Sequence, residues 1–180
     1  MEVRAHALKQ DFNVDGNYPG HRTVSYASLD AKRLIGQAVE GLAGPITNFK
    51  LASETHDQNY NGAYQYTTCH DKTWIHCDST TSWAAVVYLT PNAPLSGGTG
   101  LFRHKSTGLS EKTDDKKAMD LMWKECNDYT KWDLCDVVGN KFNRMVLYRG
   151  TMWHASLDYF GQGKEDGRLF QTFFFDTKYK

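Results

Sequence analysis

Between residues 29 and 42 the apolar side chains fall at Leu29, Leu34, Ile35, Ala38, Val39 and Leu42. That is the spacing of one side of a 3.6-residue helix. Ser28 supplies an N-cap and Gly44-Pro45 a stop, so the pattern predicts a helix here. After Pro45 the texture changes. Short stretches rich in Tyr, Phe, Val, Thr and Trp predict strands at 46–52, 63–69, 73–78, 82–89, 100–104, 143–148 and 168–175. Clusters of Gly, Pro and Asn punctuate them. A second helix is predicted within 114–129, where Ala118, Leu121, Met122 and Cys126 share a stripe. The charged run 111–117 before it reads as a solvated loop and helix start. Residues 11–24 hold Asp15-Gly16 and Pro19-Gly20 and read as an irregular arm. The whole pattern predicts a mainly β fold with flanking helices, a sandwich or jelly roll.

The 180-residue length suits one domain. An N-terminal arm and helix would occupy 1–60 and a β core 60–176. Lys and Arg total 21 and Asp and Glu total 21, so the formal net charge is zero. That balance disfavours nucleic acid and anionic membrane as partners. Mean hydropathy is -0.61, and no apolar run approaches the ~20 residues that cross a bilayer. The N-terminal stretch MEVRAHALKQDF lacks the apolar segment of a secretory signal. Cys69, Cys77, Cys126 and Cys135 include no CxxC pair, and no Asn-x-Ser/Thr acceptor occurs. The expectation is reduced thiols in a cytoplasmic protein.

Of the histidines, only His76 begins a His-x-Asp, in Lys72-Thr-Trp-Ile-His-Cys-Asp78. On a strand His76 and Asp78 point the same way and Cys77 the opposite way. An imidazole and a carboxylate so placed can bind one metal ion, or simply hydrogen-bond each other at a strand end. His154 is a second candidate ligand. Fourteen residues later Arg168 opens the apolar stretch Arg-Leu-Phe-Gln-Thr-Phe-Phe-Phe. A guanidinium there needs an anionic partner, because an unpaired buried charge is costly. Asp158, Asp176 or a ligand carboxylate could serve.

Taken in order, His76-x-Asp78, Ala84-Ala-Val-Val-Tyr-Leu-Thr90, Gly97-Gly98-Thr99, Tyr148, Trp153-His154-Ala155 and Gly167-Arg168 resemble Fe(II)/2-oxoglutarate-dependent oxygenases. The prolyl 4-hydroxylase-like branch is the most similar. The resemblance covers about residues 60–176 and implies a double-stranded β-helix, the cupin-like jelly roll. It also implies that His76, Asp78 and His154 form a 2-His-1-carboxylate triad for Fe(II). Arg168 would bind the distal carboxylate of 2-oxoglutarate. Tyr66 would hydrogen-bond that carboxylate, or else pack within its strand. Tyr88 would line the pocket, or else the core. The sequence departs from the branch at Thr90, where Asn is common, and this puts prolyl specificity in doubt. It also lacks an Arg-x-Ser, which leaves a second carboxylate donor unassigned, with Thr172 a substitute.

The reaction so implied consumes O2 and 2-oxoglutarate, releases succinate and CO2, and hydroxylates a C–H bond. Ascorbate would be an accessory reductant. The substrate would be a peptide or protein side chain or an amino acid. The first ~60 residues and 108–142 do not match the catalytic pattern and would form the rim. Trp74, Trp83, Trp153, Arg103 and Arg149 are candidate contacts there. His104, between Arg103 and Lys105, reads as exposed and a poor ligand; His70 is also weaker. His6, His21 and His56 read as solvated loop residues. Gly97-Gly98-Thr99-Gly100 lacks Gly-Lys-Ser/Thr and reads as a tight turn beside the metal, not a phosphate cradle. Two alternatives stand beside the oxygenase. A zinc-dependent hydrolase would use the same three ligands, and a non-catalytic jelly-roll binding module would use none.

Overall fold

The computed structural model describes residues 2–54, 60–78 and 80–179. Its strands are β1 (His21–Arg22), β2 (Ile46–Asn48), β3 (Tyr64–Thr67), β4 (Trp83–Tyr88), β5 (Thr99–His104), β6 (Trp132–Val138), β7 (Met145–Arg149), β8 (His154–Ser156) and β9 (Arg168–Thr177). Its helices are α1 (Glu2–Ala7), α2 (Leu29–Ala43) and α3 (Lys116–Lys124).

All the pairing is antiparallel. One sheet runs β1-β3-β9-β4-β7, with β2 also on β9, and the other runs β6-β5-β8. The long apolar stretch opened by Arg168 becomes the centre of the larger sheet. β9 pairs Arg168 with Thr67 on one side, and Phe173 with Ala85 on the other. Its side chains alternate. Phe173 and Phe175 pack outward with Ile35 and Val39 of α2. Phe170 packs inward with Val86, Tyr148 and, from the other sheet, Leu101 and Val138. Burying an aromatic side chain of this size stabilises by about 1.5–3 kcal/mol. Behind the smaller sheet, Met122 of α3 meets Phe102, Trp132 and Trp153. The order of layers is therefore α1 and α2, large sheet, small sheet, α3. No helix among the described residues is long and apolar enough to cross a membrane. All four cysteines are free thiols.

The predicted first helix forms. Ser28 accepts from Ala31 N–H, and Gly44 ends the helix at φ 78°. Its buried stripe is narrower than expected. Ile35, Val39 and Ala43 are buried, whereas Leu29, Leu34 and Leu42 are exposed at 68%, 57% and 85%. The segment 73–78 does not form a strand. It is extended, but only His76 makes a bridge, with His154, because its remaining backbone partners lie in turns at Cys126 and Gly150. Three strands are absent from the sequence pattern: β1 and β8, which are very short, and β6, whose residues Leu134–Val137 are exposed at an edge.

Candidate metal centre

Two backbone segments bring the histidines together. His76 N–H donates to His154 O at 2.9 Å, and His154 N–H to His76 O at 2.7 Å. Alternation then sorts the side chains. Ile75, Cys77, Trp153 and Ala155 enter the apolar cluster against α3. His76, Asp78, His154 and Ser156 face a cavity of about 600 Å3 between the sheets. Asp78 is fixed by its N–H to Gly150 O at 2.7 Å. A side chain at Gly150 would lie 2.6 Å from Thr81 O, so only glycine permits that approach.

His76, Asp78 and His154 form a group able to hold a metal ion, with ligand atoms all within 4.8 Å of one another. Each imidazole is oriented from behind. His76 Nδ1 donates to Trp74 O at 3.1 Å, and His154 Nδ1 to Met152 O at 2.8 Å. A carbonyl can only accept, so the proton sits on Nδ1 and the Nε2 lone pair points into the cavity. Burial, with His76 beside it, pushes His154 down to about 3, which keeps it neutral. Asp78 is raised by burial, against the pull of His76 and Arg22. Its Oδ2 is buried without a hydrogen-bond partner and lies 3.7 Å from His154 Nε2. Two acceptors facing each other this way are stabilised by a cation between them.

Arg168 lines the same cavity and is 1% exposed. It forms no salt bridge among the described residues. Instead Nε donates to Gly97 O at 2.8 Å and Nη2 to Gly98 O at 3.3 Å. Nη1 is buried with no partner. The ring of Phe170 lies 4.4 Å from the guanidinium carbon. Of the carboxylates expected to pair with it, Asp176 accepts from Ser82 and Asn48 instead. Gly97-Gly98 thus supplies carbonyls to the arginine, and a Cβ on Gly98 would meet Val138 O at 2.0 Å.

For Tyr66 and Tyr88 the structure gives the packing position of the two readings left open. Tyr66 faces away from the cavity and packs against Phe12 and His21; the even alternation of β3 puts Gln65, not Tyr66, in the lining. Tyr88 is fully buried beside the cavity, with its hydroxyl 2.7 Å from that of Thr99. Thr172 does line the cavity, but its hydroxyl donates to Tyr60 O at 3.1 Å, so that proton is committed. His104 is likewise not exposed. It is fully buried against Trp132, with Nε2 2.8 Å from Glu125 and Nδ1 3.1 Å from Thr107. His70 is exposed and bonded to Gln162. His6 and His21 are exposed, on α1 and β1, and His56 lies outside the described residues.

Of the candidate rim contacts, Trp74 lines the cavity. Trp153 is buried behind it, Trp83 donates to Thr177, Arg103 pairs with Asp133, and Arg149 lies over Trp83. Three residues without an assigned role do reach the site. Tyr148 lies 4.6 Å ring to ring from His154, its phenol held protonated by burial. Its place on the inner side of β7 follows from the alternation of 145–149. Arg22 and Tyr18 arrive from the arm, and no local pattern announces them; only the pairing of β1 with β3 places them.

The profile of one family, described as a family of unknown function (DUF6445), matches residues 2–175. No curated protein and no solved structure matches the chain.

Proposed function

Within the DUF6445 family, to which the chain belongs, we propose an Fe(II)- and 2-oxoglutarate-dependent dioxygenase that hydroxylates a C–H bond of a peptide, protein or amino-acid substrate. The observation that carries this reading is a pair of orphaned polar atoms in one cavity. Asp78 Oδ2, beside two inward imidazoles, calls for a cation, and Arg168 Nη1 calls for an anion.

Two neutral imidazoles and one carboxylate are a donor set that suits non-heme Fe(II) and leaves coordination positions free. His76, Asp78 and His154 would hold the iron. Arg168 would take the distal carboxylate of 2-oxoglutarate on Nη1, with the guanidinium already oriented by Gly97 and Gly98. Bound together with O2, these groups supply the oxidising chemistry that turns 2-oxoglutarate into succinate and CO2. Phe170 and Phe174 give the cavity a dry wall, and Tyr148 adds a neutral O–H donor next to His154. The cavity volume suits a dicarboxylate together with a substrate side chain. The two facing antiparallel sheets, with ligands on paired segments of one and the arginine on the other, support reading the core as a double-stranded β-helix. A zinc hydrolase would use the same ligands but leave Arg168 without a role.

The test is direct. Anaerobic addition of 2-oxoglutarate to the Fe(II)-loaded chain is expected to give a visible charge-transfer absorption. Admitting O2 should then yield succinate, followed by NMR, with none formed under Zn(II). No absorption and no succinate would end the oxygenase reading.

A further inference from the structure

Arg22 is a second guanidinium in the cavity, and the Fe(II)/2-oxoglutarate reading gives it no work. It is 7% exposed and lines the cavity with Tyr18, Tyr60 and Gln65. Its guanidinium carbon sits 3.8 Å from the centre of the Tyr18 ring and 4.5 Å from that of Tyr60. Nε and Nη2 both donate to Gln65 Oε1, and Gln65 in turn donates to Pro19 O at 2.6 Å. This clamp occupies one edge of the fork. The two Nη1 hydrogens and one Nη2 hydrogen make up the other edge. No carboxylate forms a salt bridge with Arg22 among the described residues.

The surroundings give the site its sign. Among the described lining residues Arg22, Lys50 and Arg168 are cationic, and Asp78 is the one anion. Arg22 and Asp78 line one and the same cavity. Lys50 is exposed, but once Asp78 ligates a divalent ion the buried Arg22 and Arg168 remain without a counter-charge. Such a desolvated cation is costly unless a ligand neutralises it. Trp74 and Trp123 add apolar wall to the same cavity.

We propose that the primary substrate carries an anionic oxygen group, carboxylate or phosphate, gripped by the free edge of Arg22, while Arg168 holds 2-oxoglutarate. The proposal rests on the oxygenase reading only for the word substrate; the anion site itself does not depend on it. Tyr18 and Tyr60 hold the guanidinium plane, and Gln65 sets its rotation. A planar fork held this way favours bidentate recognition.

The probes are benzoate, phenyl phosphate and the neutral benzamide, titrated calorimetrically into the full chain. One arm uses protein saturated with Mn(II) and 2-oxoglutarate, and the other uses metal-free protein. At least one anion is expected to bind, with benzamide about tenfold weaker or more, and the tighter of the two anions identifies the group. Arg22→Gln should weaken the anion about tenfold while 2-oxoglutarate affinity stays within about twofold. Arg22→Lys keeps the charge but not the fork, and should weaken it about fivefold; it decides the matter if the Gln variant does not fold. Unchanged anion affinity in the folded variants, equal binding of benzamide, or no binding of either anion overturns the proposal and leaves Arg22 as packing for the arm. Anion binding that survives without any 2-oxoglutarate binding would remove the oxygenase reading and keep this site.

Discussion

His76 and His154 exchange both of their backbone hydrogen bonds, at 2.9 and 2.7 Å, and their rings lie 4.4 Å apart. The two candidate ligands are therefore matched by main-chain register. His76→Ala and His154→Ala should each weaken Mn(II) binding roughly 100-fold or more. Mn(II) titration followed by the EPR signal of the free ion checks this, and unchanged affinity in either variant would remove that residue from the ligand set. Urea unfolding reads separately the packing lost at His154, which is buried against Tyr148 and donates to Met152 O.

Arg168 supplies one unpartnered nitrogen and two tethered ones. Losing its charge-assisted contact to a carboxylate should cost about 1.5–3 kcal/mol, or roughly 10- to 150-fold in 2-oxoglutarate affinity. Calorimetry on the Mn(II)-loaded Arg168→Ala protein reads that loss. Metal affinity should be unaltered. Arg168→Lys should fall short of the wild type as well, because a compact ammonium lacks the planar fork that spans the Gly97 and Gly98 carbonyls on one edge and a carboxylate on the other.

His104 bonds to Glu125 and Thr107 inside the layer formed by α3 and β5. Its removal leaves the Glu125 carboxylate poorly paired next to Trp132. His104→Ala should destabilise the fold by about 2–4 kcal/mol, measured by urea unfolding, without changing metal affinity. A drop in metal binding with the fold intact would instead make it a ligand.

Asp166 accepts from the N–H groups of Gln162 and Gly163, which hold its carboxyl below the usual carboxylate range. The folded state thus binds this proton less readily than the unfolded chain. The stabilisation is present above the ordinary value of 3.8 and is lost as pH falls through the lower folded value. Asp166→Asn should lose less stability than the wild type as pH falls from about 5 through the lowered folded value. Equal pH slopes would show that the carboxylate does not hold this loop.

Local signals were enough for α2, with its Ser28 cap, and for most of the strands. They also drew attention to His76, Asp78 and Arg168, through a His-x-Asp and a charge opening an apolar strand, but His-x-Asp is a common triplet, and the grouping of these residues with His154 came from the resemblance alone. They failed where a role is set by distant pairing. Tyr66 and Gln65 are neighbours whose facing is decided by which side of β3 the arm covers. His104 looked solvated between Arg103 and Lys105, yet strand alternation turns it inward while its neighbours turn out. Arg22 sits among turn residues, and its role emerges only when β1 joins β3.

The apolar filling between the sheets, Ala84, Val86, Tyr88, Val146 and Phe170 against Leu101 and Val138, fixes how far the triad on one sheet stands from the guanidinium on the other. It works as a spacer gauge. Sheets packed face to face stand about 10 Å apart, and a methylene added or removed in that filling shifts the gap between the two ligand anchors. In the proposed oxygenase, chain-length preference for the diacid would then be set in part by residues such as Ala84 and Val146 that lie outside the cavity lining.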